Sequence, residues 1–225
     1  MTPELKGYPG RLIAVEGIDG SGKTTQTHLL KRWLELQNLK VYHADWSTFQ
    51  LVKKTTTRAE GRQLITPTTH TLLHATDFGD IYDLKLLPLL KAGYLVVCDR
   101  YVFAAFAASI VRGCPQDWVT GVYGLACFPD ITLFLNARLE TAVHRILRSR
   151  PELNYFDSGM DLRLSPDTYD AFRIYQERLQ EQYLAMGTRF DFHMIDGDQP
   201  IEAQQQTIRQ LIAGKLSLDD FTHDE

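Results

Sequence analysis

Short continuous apolar runs alternate with stretches of helical spacing along this chain. Leu12-Ile13-Ala14-Val15 has no polar alternation, the pattern of a strand buried on both faces of a parallel sheet. It ends at Glu16-Gly17 in a glycine-rich turn. Leu29, Leu30, Trp33, Leu34 and Leu36 then recur along one side of a predicted helix that Asn38 closes. Residues 40–44 read as a second strand. Residues 45–66 are polar and rich in Thr, Lys and Arg, and read as a loop or short helix over the top of the sheet. Pro67 opens a helical stretch, Pro88 interrupts it and Gly93 ends it. Tyr94-Leu95-Val96-Val97-Cys98 is the clearest strand and runs directly into Asp99-Arg100-Tyr101.

Beyond it, a small-residue helix over 102–111 stops at Gly113-Cys114-Pro115, and a further helix is predicted from Pro115 toward Phe128. Ile131-Thr132-Leu133-Phe134-Leu135 is a fourth strand. The helix after it turns Leu139, Ala142, Val143, Ile146 and Leu147 to one side and His144, Arg145 and Arg148 to the other. Residues 149–165 read as a loop, 166–186 as a long helix, 192–195 as a fifth strand and 200–215 as a last helix. The acidic end, 218–225, is expected to fray. Strands alternating with helices predict an α/β fold of three layers, a parallel sheet between two layers of helices. No linker, composition break or repeat divides residues 1–225, so a single domain is expected.

Composition narrows the chemistry. The 225 residues carry 24 Lys plus Arg against 28 Asp plus Glu, a net charge of −4. That balance excludes a basic protein that holds a nucleic-acid polymer by bulk charge. Any anion must be held by a local site. Cys98, Cys114 and Cys127 lack paired ligand spacing and read as reduced thiols of a cytoplasmic protein. The opening residues do not resemble a signal peptide, and the longest apolar run, 102–111, is too short to cross a membrane.

One turn carries a specific motif. Gly17-Ile18-Asp19-Gly20-Ser21-Gly22-Lys23-Thr24 fits the phosphate-binding pattern G-x-x-x-x-G-K-[ST], with a strand before it and a helix after it. Glycines let successive backbone N–H groups curl toward one anion, and the helix start adds its positive end. Lys23 suits the outer phosphates of a nucleoside triphosphate, and the Thr24 hydroxyl suits Mg²⁺.

Other candidates surround it. Asp99 stands at the C-terminal end of a buried parallel strand, the edge where ligands bind in open α/β sheets. It suits a metal ion, and Arg100 beside it suits a moving phosphoryl group. Arg145, Arg148, Arg150 and Arg163 form a second cationic group in and beside the 149–165 loop, as a closing lid would need. Lys53, Lys54, Arg58 and Arg62 form a third, able to receive an acceptor phosphate. His74, Asp77, Phe78 and Tyr82 recur at helical spacing and could line an acceptor pocket, with a ring to stack a base.

Val15 to Gln26, the strand ending in Asp99-Arg100-Tyr101 and the run Pro129-Asp130-Ile131-Thr132-Leu133-Phe134-Leu135 together resemble bacterial thymidylate kinases. The arginine-rich segment, the long helix after it and Ile195-Asp196 follow in the family's order, so the resemblance spans about 11–215. It implies the P-loop NTPase fold with a five-stranded parallel sheet and usually a homodimer. The implied reaction transfers the γ-phosphate of ATP to a nucleoside monophosphate with Mg²⁺. It implies an ATP site at Gly17, Asp19, Gly20, Ser21, Gly22, Lys23, Thr24 and Thr25, with Arg145 near the adenine. Asp99 and Arg100 would sit at the transfer point, and Asp19 would face the acceptor. Ser21 stands where some members carry a loop arginine, which implies a catalytic arginine from the lid, Arg148 or Arg150.

The acceptor half departs from the family. Asp45-Trp46-Ser47-Thr48 replaces the usual Arg-Glu-Pro-Gly-Gly-Thr-like stretch, leaving Lys53, Lys54 or Arg58 to grip the acceptor phosphate. His74 and Phe78 stand in place of the stacking Phe and a nearby Arg. Ala104-Ala105 and Ala108-Ser109 replace Ser-Ser and Tyr-Gln. Trp46, His74, Phe78, Arg100 and Tyr101 are the remaining candidates for the acceptor. The leading expectation is a kinase acting on dTMP or a related nucleotide. The alternative is a nucleotide-binding regulator that has lost transfer. A GTPase switch ranks last, because no Asn-Lys-x-Asp motif reads guanine.

Overall fold

The computed structural model describes residues 7–46, 51–60, 65–150 and 152–223. Five strands form one parallel sheet: β1 (Arg11–Glu16), β2 (Val41–Asp45), β3 (Leu95–Asp99), β4 (Ile131–Asn136) and β5 (His193–Asp196). Their spatial order is β2-β3-β1-β4-β5. The apolar runs alternate between two cores. Leu12 and Ala14 of β1, Val96 and Cys98 of β3 and Phe134 of β4 pack into one. Ile13, Val15, Leu95, Val97, Leu133 and Leu135 pack into the other. Both faces of the sheet are therefore covered, which is why the runs show no polar alternation.

The helices are α1 (Lys23–Glu35), α2 (Lys53–Glu60), α3 (Pro67–Ile81), α4 (Leu87–Lys91), α5 (Val102–Val111), α6 (Gln116–Val122), α7 (Leu139–Ser149), α8 (Thr168–Phe190) and α9 (Ile201–Lys215). A π-helical turn, Tyr82–Leu86, joins α3 to α4. Pro88 follows directly: it has no N–H for the Leu84 carbonyl and its ring crowds that turn, and the Leu87 N–H reaches back five residues to the Tyr82 carbonyl. Leu30 and Leu34 of α1 are buried as expected, but Leu36 lies past the helix end and is 80% exposed. Asn38 closes the turn at φ 59°. The helix expected to reach Phe128 stops at Val122. The 45–66 segment holds α2, while residues 47–50 and 61–64, Arg62 among them, lie outside the described residues.

Residues 218–223 are tied down rather than frayed, while 224 and 225 lie outside the described residues. A 3₁₀ turn, Leu218–Phe221, sets Phe221 into the core shared by α1 and α9 at 3% exposure. The Lys40 N–H donates to the Phe221 carbonyl at 2.7 Å, and Leu39 bridges Thr222. Acidic composition concealed a single aromatic anchor. Phe221→Ala is expected to cost about 3 kcal/mol of stability, as for a core aromatic. Urea unfolding checks this, and a cost near zero would mean that the end does frayed-tail duty after all.

Candidate active site

β1 delivers the chain into a tight turn over 17–22. Gly20 (φ 81°) and Gly22 (φ 100°) occupy the left-handed region. A Cβ at Gly20 would run into the Ala142 carbonyl of α7. The loop thus needs glycine both for its curl and for its seat against α7. Gly17 is crowded too, since a Cβ there would lie 2.6 Å from Ser21 Oγ. Ser21 therefore turns inward beneath the loop, and neither Gly17 nor Ser21 lines the cavity above it. Gly20, Gly22, Lys23, Thr24 and Thr25 do line that cavity, which has a volume of about 740 Å³.

β3 brings the second half of the chemistry alongside. Val15 pairs with Asp99 in register, and the Arg100 N–H donates to the Val15 carbonyl at 3.0 Å. The Thr24 hydroxyl donates to Asp99 Oδ2 at 2.6 Å. Two oxygen donors predicted separately as metal ligands thus meet at the loop's mouth. Arg100 adopts φ 68°, an uncommon backbone state for arginine, and its guanidinium pairs with Asp19. Burial pushes the Asp19 carboxyl up, but Arg100, Lys23 and Arg150 together hold it below its ordinary value. Lys23 Nζ donates to the Ile18 carbonyl at 2.7 Å, and burial, aided by Arg100, lowers its pKa to about 7. A phosphate anion in the loop would raise it again. Asp19 is also held from α8, where Gln176 Oε1 accepts its N–H at 2.9 Å.

Arg145 and Arg150 line the same cavity. Arg145 Nη1 donates to the carbonyls of Gly20 (3.4 Å) and Gly197 (3.1 Å), spanning the phosphate loop and the end of β5. Arg148 is exposed on α7 and is not among the lining residues, and Arg163 is likewise exposed outside it.

The far side of the cavity comes from α3, α5 and α6. Trp46 and His74 line it with His70 and Thr71. Phe78 does not: it is fully buried in the core, with Trp46 stacked on it at 5.5 Å. Its ring supports the wall rather than facing a ligand. Tyr101 is buried too, its hydroxyl donating to the Cys127 carbonyl at 3.0 Å. Lys54 and Arg58 are exposed on α2 and do not line the cavity, while the Lys53 side chain lies outside the described ones.

Three residues escaped the sequence reading. Arg112, 7% exposed, donates from Nε to Asp161 (2.9 Å) and from Nη2 to the Phe156 carbonyl (2.9 Å), and it also bonds the Tyr175 hydroxyl. It fastens the 156–161 segment to α5 and α8. The available signal was helical phase: Ala104, Ala105, Ala108, Ser109 and Arg112 share one face of α5 and its end, and all line the cavity. Tyr123 lines it from the end of α6.

Glu16 is the third. The end of β1 buries its carboxylate completely beneath the loop. Oε1 accepts the Tyr101 N–H at 2.8 Å and Oε2 accepts the Tyr183 hydroxyl at 3.2 Å. Burial pushes its pKa up to about 7, against those hydrogen bonds and the charges of Arg100 and Lys23.

The chain is similar to known proteins along most of its length. The family model described as Thymidylate kinase matches residues 15–208. A protein named probable thymidylate kinase 2 from Saccharolobus solfataricus is 36% identical over 204 residues, covering 90% of this chain and 95% of the relative. A probable thymidylate kinase from Pyrococcus abyssi is 26% identical, covering 94% and 98%. A thymidylate kinase from Caldanaerobacter subterraneus is 29% identical, covering 88% and 93%.

Glu16 yields a pH signature. At about 7, the folded carboxyl keeps a proton that an unfolded one, near 4.5, has lost. Between those values the folded chain binds more protons, so this group lowers stability as the pH rises. Glu16→Gln lacks that slope. Its stability relative to the parent is expected to climb by about 3 kcal/mol from pH 4.5 to above pH 7 and then level off. Denaturant unfolding across that range checks this; parallel curves for the two proteins would contradict it.

Proposed function

The chain belongs to the thymidylate kinase family, and on that premise we propose that it transfers the γ-phosphate of ATP to a nucleoside monophosphate, dTMP first among them. It is a nucleoside monophosphate kinase. The observation that carries this reading is the meeting of Thr24 with Asp99 at the mouth of the phosphate loop, with the Arg100–Asp19 pair beside it. Family membership does not favour the alternative of a regulator without transfer.

The residues fit their assigned roles. The amides of 20–25 and Lys23 cradle the outer phosphates, with Arg145 beside the adenine. Thr24 and Asp99 are hard oxygen donors suited to Mg²⁺, which keeps several waters and needs only one or two protein ligands. Among the described residues, no cluster of three or more His, Cys, Asp or Glu competes for it. When bound, the ion neutralises charge on the β- and γ-phosphates. Lys23 stabilises the charge that develops at the leaving oxygen. Arg100, paired with Asp19 beside the loop, braces the moving phosphoryl group in this reading. An acceptor phosphate oxygen is already anionic near pH 7, so in-line attack needs no strong general base.

Arg150 is the better placed of the two candidate catalytic arginines, because it lines the cavity and acts on Asp19. The 149–165 segment serves as the lid of a single domain. Phe156 and Asp157 reach the cavity from it. Closure over the phosphates would exclude water, without which hydrolysis competes with transfer. The acceptor meets Trp46, His74 and Arg100. A pair of identical chains is part of this reading, supported by exposed Leu72 and Leu84 around α3. A cytoplasmic setting is supported by three free, buried cysteines and by the absence, among the described residues, of a helix able to cross a membrane.

The test is a panel of ribo- and deoxynucleoside monophosphates with ATP and Mg²⁺, read by ADP release. dTMP is expected to give turnover. Lys23→Ala is expected to lower it by about 10³-fold while the circular dichroism spectrum is retained. No turnover with any acceptor, or near-normal turnover in the variant, would overturn the assignment.

A further inference from the structure

The two ends of the cavity differ in charge. Lys23, Arg100, Arg145 and Arg150 gather near the phosphate loop. The wall that α5 and α6 form carries Ala104, Ala105 and Ala108, which offer no polar side-chain atoms. The polar groups beside them are committed elsewhere. The Thr71 hydroxyl donates to Ser109 Oγ at 2.8 Å, and the Arg112 guanidinium is taken by Asp161, Phe156 and Tyr175.

Tyr123 is different. It lines this end of the cavity at 2% exposure. Phe78 and Phe106 meet its ring edge-on, with centroids at 5.6 and 5.8 Å, which fixes its orientation. Its hydroxyl is buried and has no hydrogen-bond partner among the described residues. Burial pushes its pKa well above the ordinary value, so it remains a neutral phenol across the physiological range. A buried hydroxyl without a partner weakens a fold, and such groups are rare unless a ligand or water completes them.

We propose that Tyr123 Oη is a binding contact to the acceptor, forming a hydrogen bond with a polar edge atom of its base. This rests on the nucleoside monophosphate reading above. The phosphate of the acceptor belongs at the cationic end, which leaves the neutral wall of alanines and Tyr123 to the base. A phenol hydroxyl both donates and accepts, so it can bond a carbonyl or an amino group at that edge.

Tyr123→Phe keeps the ring and removes the hydroxyl. Steady-state kinetics with dTMP and ATP, together with thermal melting of the unliganded protein, test the assignment. KM for dTMP is expected to rise about tenfold, the effect of losing one hydrogen bond to a ligand, while KM for ATP stays within twofold. The melting temperature is expected to hold or rise, because an unsatisfied buried group has been removed. An unchanged KM for dTMP would overturn the proposal. A melting temperature several degrees lower would also overturn it, since the hydroxyl would then belong to the folded network. If the unsubstituted protein transfers phosphate to no monophosphate, the kinase reading fails first and takes this assignment with it. Turnover in the parent with an indifferent variant sinks the assignment alone.

Discussion

Parallel pairing of β1 with β3 sets the level at which the chemistry assembles. Val15 lies opposite Asp99, so the phosphate loop and Asp99-Arg100 leave the sheet side by side. Neither segment makes a site alone. The loop supplies curled amides and Thr24, and β3 supplies the carboxylate that Thr24 reaches at 2.6 Å. A slip of one residue in that register would turn Asp99 to the other face of the sheet and leave Thr24 without its partner. The two apolar cores hold the register, because each strand sends alternate side chains into opposite cores.

Beneath that edge lies a concentration of buried charge. Lys23 and Arg100 each interact with Glu16, Asp19 and Asp99, and burial works against the charge of Glu16, Lys23 and Arg100. Such a cluster contributes little net stability, since desolvation offsets most of the attraction. Its value lies in preorganisation. Arg100 is held by Asp19, Asp19 by Gln176 and Glu16 by Tyr101 and Tyr183, so the polar groups at and beneath the loop's mouth are already oriented.

Local signals carried the sheet and the loop. The five apolar runs, the glycine spacing and the strand ending in Asp99-Arg100 each depend on neighbours within about ten residues, and all sit where the sequence places them. The acceptor side depends on contacts across the chain and was less legible. Phe78 shares the helical phase of His74, yet it packs inward because Trp46, Tyr82, Tyr101 and Tyr123 surround its ring. Arg112 followed an apolar run and offered no motif; its partners outside α5 lie 44 to 63 residues away. Residues 218–223 depart from the expected frayed end for a related reason, since one buried phenylalanine outweighs the acidic residues around it.

The central claim is that backbone amides and Lys23 grip the outer phosphates of a nucleotide. Isothermal titration of the purified chain with ATP and with AMP, both in excess Mg²⁺, tests it most directly. The account predicts one ATP per chain and binding of AMP weaker by about 10²-fold or more, because AMP offers the loop no β- or γ-phosphate. Absence of heat with ATP, or equal affinity for the two nucleotides, would contradict it.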